Sequence, residues 1–198
     1  MDSGKKRVSL VVSVCICCVI SMIGISLWPV FLIQLRDVWA LTNSQIGWIS
    51  GAYFIGYVLA TPIMVSLTDF VDARFMFICG CISSFIGCVG FAFFANDFLS
   101  AALFYALIGA GLAGTYMPGL QVLNARLEDD FRIKAVPWYT SSFGLGTGFS
   151  FLIMGLLLTY SNYKVSALIA AVGAFVAGLY LLILVEPKSP KEGLKVQI

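Results

Sequence analysis

Along this chain hydrophobic positions come in long unbroken blocks, without a strand-like alternation or a clear amphipathic period. Charged residues cut it into six uncharged runs, 8–35, 38–68, 75–96, 98–125, 135–163 and 165–185. Each run is long enough for one helix through a ~30 Å hydrocarbon core, and none fits two helices with a turn between them. The pattern predicts an all-α membrane protein with six transmembrane helices over 8–33, 46–68, 75–95, 98–123, 135–160 and 165–185. Residues 1–7 form a polar N-terminal segment, 8–185 the six-helix bundle, and 186–198 a polar tail. The basic start followed by an apolar run imitates a signal peptide. That run is too long and lacks a small-residue cleavage site, so an uncleaved first helix is expected.

Composition sharpens this reading. Of 198 residues, 60% are hydrophobic and 11% charged, with a mean hydropathy of +0.97. Too little polar surface is available for a water-soluble fold, and far too much apolar content for a disordered chain. Ten of the 12 Lys and Arg fall on the N-terminal side of the membrane, and only Arg36 and Lys164 fall on the other. This bias predicts cytoplasmic termini in a plasma membrane, the inner one in a bacterium. Trp28, Trp39 and Trp48 fall near the outer boundary, as an interfacial aromatic belt would place them. A net charge of +2 suggests no nucleic-acid partner. The expected surroundings are the lipid bilayer and a small-molecule solute.

Candidate chemistry is sparse. With no histidine, neither an imidazole metal site nor a Ser-His or Cys-His pair can be built. No acidic or basic residue lies deep in a span, which argues against a carboxylate proton relay and a membrane aspartyl protease. Cys15, Cys17, Cys18, Cys79, Cys81 and Cys88 all fall in the first and third spans. Thiolates suit soft metals such as Cu(I), but side chains two apart on a helix diverge by about 200°, so Cys15 and Cys17 cannot face one partner. Small apolar packing is the reading, with no metal, no cofactor and no enzymatic activity expected.

A weak internal repeat recurs at an offset of about 90 residues. Trp28-Pro29 corresponds to Met117-Pro118, Trp48-Ile49-Ser50 to Trp138-Tyr139-Thr140, and Phe75 to Val165. Three spans per unit is odd, so the second unit would be inserted upside down, giving a 3+3 inverted repeat. Small residues recur at helical spacing in Ala102, Ala106, Ala110 and Gly114, in Ala52, Gly56 and Ala60, and in Gly144 and Gly148. Lipid offers no hydrophobic drive for helices to associate, so such stripes favour close backbone packing.

The loop after the second span reads Val65-Ser66-Leu67-Thr68-Asp69-Phe70-Val71-Asp72-Ala73-Arg74. It resembles the cytoplasmic loop signature of the major facilitator superfamily, which runs Gly, three residues, Asp, Arg, any, Gly, Arg, Arg. Asp69 and Arg74 occupy the Asp and the final basic position, while Val65, Phe70, Asp72 and Ala73 depart. In the fourth span the family often has Arg, three residues, Gly, any, Gly; here Tyr105 precedes Gly109 and Gly111. The resemblance covers residues 8–190 as the N-terminal six-helix half of a twelve-helix protein.

That resemblance implies transport of a small solute by rocking of helix bundles, with a second half from a homodimer or a separate six-helix chain. It also implies a gating role for Asp69, Arg74 and Asp72. Physically, Asp69 at a helix C-terminus calls for a cationic partner, with Arg74 nearest, and Asp72 can cap the next helix. Asp129 or Asp130 is expected to cap the fifth. Pro29 and Pro118 are the expected helix breaks. Neutral groups then supply the pocket, with Tyr57 and Tyr105 leading, then Tyr116, Tyr53 and Gln121. A second reading, from another class, is a non-transporting remnant or membrane interaction protein that keeps the six-helix fold.

Overall fold

The structure is a computed structural model and describes residues 2–187. Six apolar helices of membrane-crossing length account for its spans. The first is built in three pieces, α1 (Asp2–Ser21), a 3-10 turn (Ile23–Ser26) and α2 (Leu27–Val38). Then follow α3 (Asn43–Leu67), α4 (Ala73–Phe94), α5 (Phe98–Arg126), α6 (Asp129–Tyr160) and α7 (Tyr163–Leu184). With no water inside a bilayer, each span must satisfy its backbone internally, and helices do so. The chain is an integral membrane protein. Lys188, Lys191 and Lys195 of the expected tail lie outside the described residues.

Side chains at the boundaries explain most of the helix ends. Thr42 and Gln45 form a reciprocal capping box on α3, and Asp97 and Ser100 do the same on α5. Hydrogen bonds from the Ser100 hydroxyl and N–H hold the Asp97 carboxyl below its ordinary range. Asn162 accepts from the Val165 N–H at the start of α7. The Asp72 carboxylate accepts from the Arg74 N–H at the start of α4. On α6 the N-cap is Glu128, without a side-chain cap bond, so neither Asp129 nor Asp130 holds that position. The helix also begins well before residue 135, because polar and charged residues there continue helically beyond the hydrocarbon. Between α2 and α3 the chain turns through Ala40, a non-glycine residue at φ 48. Leu41 N–H reaches back to the Arg36 carbonyl and Trp39 N–H to the Leu35 carbonyl, closing α2 with a Schellman-type turn.

In the bundle α5 lies between α3 and α4, while α7 packs on α4 and on α1, and α6 packs on α1 and the 3-10 turn. Glycines set the closest crossings. A Cβ on Gly80 would collide with the α5 backbone at Gly111, Gly114 and Thr115, and one on Gly56 with the Ala106 backbone. Gly144 and Gly148, by contrast, face open space, so that part of the small-residue pattern joins no helix in this bundle. Prolines 62, 118 and 137 sit inside unbroken helices. Pro118 is therefore a buried interior residue of α5, and the expected break there is absent.

Burial is uneven. On α3 only Ile49 and Tyr53 are buried, although the helix is apolar enough to cross a membrane. Trp28 is also not a membrane-belt residue. It is 1% exposed, stacks on Trp39 at 6.5 Å and donates from Nε1 to Ser50 Oγ at 3.0 Å.

Candidate functional site

The site begins with the backbone of the first span. Pro29 has no N–H, so the carbonyl four residues earlier, Ile25, loses its helical donor. The Tyr105 hydroxyl of α5 donates to that carbonyl instead, at 2.7 Å. Two residues before it, Ser150 of α6 donates to the Ile23 carbonyl at 2.7 Å. Ser150 Oγ in turn accepts from the Ser26 N–H at 3.1 Å and lies 2.6 Å from Ser26 Oγ. The break at Ile23–Ser26 thus persists inside the bilayer because two neighbouring helices satisfy it.

Beside this break a cavity of about 570 Å³ opens between α2, α3, α5 and α6. Trp28 and Pro29 come from α2, Tyr53, Phe54 and Tyr57 from α3, Tyr105, Leu112 and Tyr116 from α5, and Phe143, Thr147 and Phe151 from α6. Ile25 and Ser50 complete the lining, which contains no charged side chain. The rings are organised. Tyr53 packs on Tyr105 at 5.1 Å, and Tyr116 packs on Phe143 at 5.0 Å and stacks on Tyr139 at 5.8 Å. Tyr139 is fully buried behind Tyr116, its hydroxyl donating to the Tyr116 carbonyl at 2.9 Å. The hydroxyls of Tyr105, Ser50 and Thr147 are spent on backbone carbonyls. Tyr53, by contrast, has a buried oxygen lacking any partner.

Of the residues expected from sequence, Tyr53, Tyr57, Tyr105, Tyr116 and Pro29 come together here. Gln121 does not. It is exposed on α5, beyond Tyr116 towards the helix end, and Pro118 is likewise outside the lining. Sequence reading passed over Trp28, Ser50, Phe54 and the α6 residues. Their only signal was the repeated aromatic character of those spans, which lipid-facing helices share.

The loop between α3 and α4 forms a second cluster. Asp72, besides capping α4, makes an ion pair with Arg126 at the end of α5, at 2.9 Å, with both side chains largely buried. Arg126 also donates to the Glu186 carbonyl at 2.7 Å, and Arg74 donates to the Val185 carbonyl. Two guanidiniums therefore close the C-terminus of α7, where carbonyls lack helical donors and the dipole is negative. Asp69 is exposed, and among the described residues its carboxylate has no ion-pair partner. Arg74 does not serve it, since its side chain turns to α7 and lies over the Phe75 ring.

A family profile described as Major Facilitator Superfamily matches residues 14–197. Among solved structures the chain is similar to one described as the in meso crystal structure of the POT family transporter PepTSo, at 16% identity and a TM-score of 0.74. The match covers 92% of this chain and 40% of that chain, so this chain spans less than half of the protein it resembles. At that identity the likeness concerns the fold. No curated protein sequence matches the chain.

Proposed function

The chain belongs to the major facilitator superfamily, and on that premise we propose that it carries a small solute across the membrane by alternating access of the aromatic cavity. The observation that carries this reading is the cavity itself. It lies beside a satisfied helix break at mid-span, where discontinuous helices build solute sites in transporters. Its volume falls within the ~300–1,000 Å³ of small-molecule sites.

The bundle walls the cavity on one side. Phe54 and Phe151 are exposed at its rim, and along α3 only Ile49 and Tyr53 are buried. We take this face to be covered by a second six-helix half, either another copy of this chain or a separate one. The packing favours the 3+3 inverted repeat. Exchanging the first three spans for the last three converts α3 on α5 into α6 on the first span, and α4 on α5 into α7 on the first span. Gly56, which crosses α5, then corresponds to Gly146, which crosses α1, at the repeat offset. The charge bias supports cytoplasmic termini. There the exposed Asp69 is free to latch against the second half, while Asp72 and Arg74 hold the ends of α4, α5 and α7 together.

Uptake into proteoliposomes carrying the chain, screened over a solute panel with and without a candidate second half, tests this. Uptake should fall at least tenfold in Thr147→Trp, which fills the cavity mouth, and in Asp69→Asn, with insertion of both unchanged. Uptake indifferent to Thr147→Trp would remove the cavity from the transport path. No uptake of any solute under either condition would favour a bundle that keeps the fold without transport.

A further inference from the structure

Resting on the reading above, we infer that the part of the solute held by this bundle is uncharged and planar, an aromatic ring system carrying a hydrogen-bond acceptor. The lining has aromatic rings from four helices and no Asp, Glu, Lys or Arg. An anion moved there would lose its hydration and meet no cation, and a cation would exchange its hydration for ring faces alone, with no carboxylate. Carboxylates and phosphates are selected against most strongly, because the negative faces of Tyr and Trp rings repel them.

The geometry of the rings favours a flat body. Tyr53 and Tyr105 lie tilted against each other on one side, and Tyr116 and Phe143 meet edge to face on the other. Rings arranged in this way offer faces and edges to a further ring, with the offset and T-shaped contacts aromatic groups prefer. Polar recognition is limited by what the wall has already used. Tyr105, Ser50 and Thr147 donate their protons to Ile25, Ile46 and Phe143 carbonyls. Tyr53 is 95% covered and its hydroxyl has no partner, whereas the other buried hydroxyl of the wall, that of Tyr105, is satisfied. A buried unpaired donor is destabilising, and its presence in a cavity wall fits a ligand acceptor that completes it.

The test uses the full chain in lipid nanodiscs and three fluorescent probes of one shape: 7-methoxycoumarin (uncharged), coumarin-3-carboxylate (anionic) and a trimethylammonium-substituted coumarin (cationic). Saturable binding of the neutral probe should be at least tenfold tighter than that of the carboxylate, and tighter than that of the cation. Thr147→Trp should abolish it. Tyr57→Leu, which removes a ring face at the accessible edge, should weaken it about three- to tenfold. Tighter binding of either charged probe, or neutral binding that survives Thr147→Trp, would overturn the inference. Failure of the transport reading looks different. Cavity-dependent binding of the neutral probe without uptake would leave the ligand class standing and count against transport. Cavity-dependent uptake of an anionic solute would do the reverse.

Discussion

Tyr105 shows how one side chain can serve structure and site together. Its hydroxyl stands in for the N–H that Pro29 lacks, and its ring forms part of the cavity wall. Tyr105→Phe should lower stability by about 1–2 kcal/mol, since it leaves the Ile25 carbonyl buried without a donor. Pro29→Ala supplies the missing N–H. The double variant should therefore recover part of that loss, with a coupling of about 1 kcal/mol in a thermal-denaturation cycle in detergent. Additive effects would mean that the hydroxyl and the proline act independently. From sequence Tyr105 could be named as a pocket residue because it is a neutral polar aromatic in an uncharged span. Its bond to Ile25 could not, because the partners are 80 residues apart.

Among the elements, the turn after α2 and the crossing of α4 on α5 make separate predictions. Ala40 holds a left-handed conformation that costs an L-residue about 1–2 kcal/mol, against a flexibility cost of about 0.5–1 for glycine. Ala40→Gly should thus stabilise the protein by about 0.5 kcal/mol, visible as a small rise in melting temperature. A fall would mean that Ala40 makes packing contacts outweighing its strain. At the crossing, Gly80→Val drives a side chain into the α5 backbone and should destabilise by about 3 kcal/mol or more. Gly148→Val, with open space around it, should change stability by less than about 0.5 kcal/mol. The two glycines look alike in sequence, each in an apolar span with small neighbours. Which one carries a helix crossing depends on rotation about the helix axis, set by contacts distant in the chain.

For the whole molecule, orientation in the membrane has a direct readout. A fluorescent protein fused after residue 198 should mature and fluoresce, and alkaline phosphatase fused there should be inactive, if the C-terminus is cytoplasmic. The opposite pair of signals would reverse the orientation. The exposed apolar face of α3 is the larger-scale feature with the greatest consequence. A lipid-facing helix and a helix that packs on a second bundle have the same hydropathy, and the adjoining cavity is what supports the proposal of a second half.

By itself the sequence determined the membrane class, the number of spans and the family signature. Each follows from local quantities: the length of an apolar run against the bilayer thickness, the sides on which Lys and Arg fall, and the residues of one loop. It also supplied the tyrosines of the cavity, because polar aromatics in otherwise aliphatic spans stand out. Tertiary structure decided how those groups are used. It placed the first-span break at Ile23–Ser26 under Ser150 and Tyr105, kept α5 straight through Pro118, and turned Trp28 inward. It paired Asp72 with Arg126, leaving Asp69 exposed and Arg74 on α7. The physical reason is common to all of these. A freed carbonyl, a buried carboxylate or a glycine surface is settled by whichever group from a distant helix reaches it, and hydropathy along one span carries no record of that neighbour.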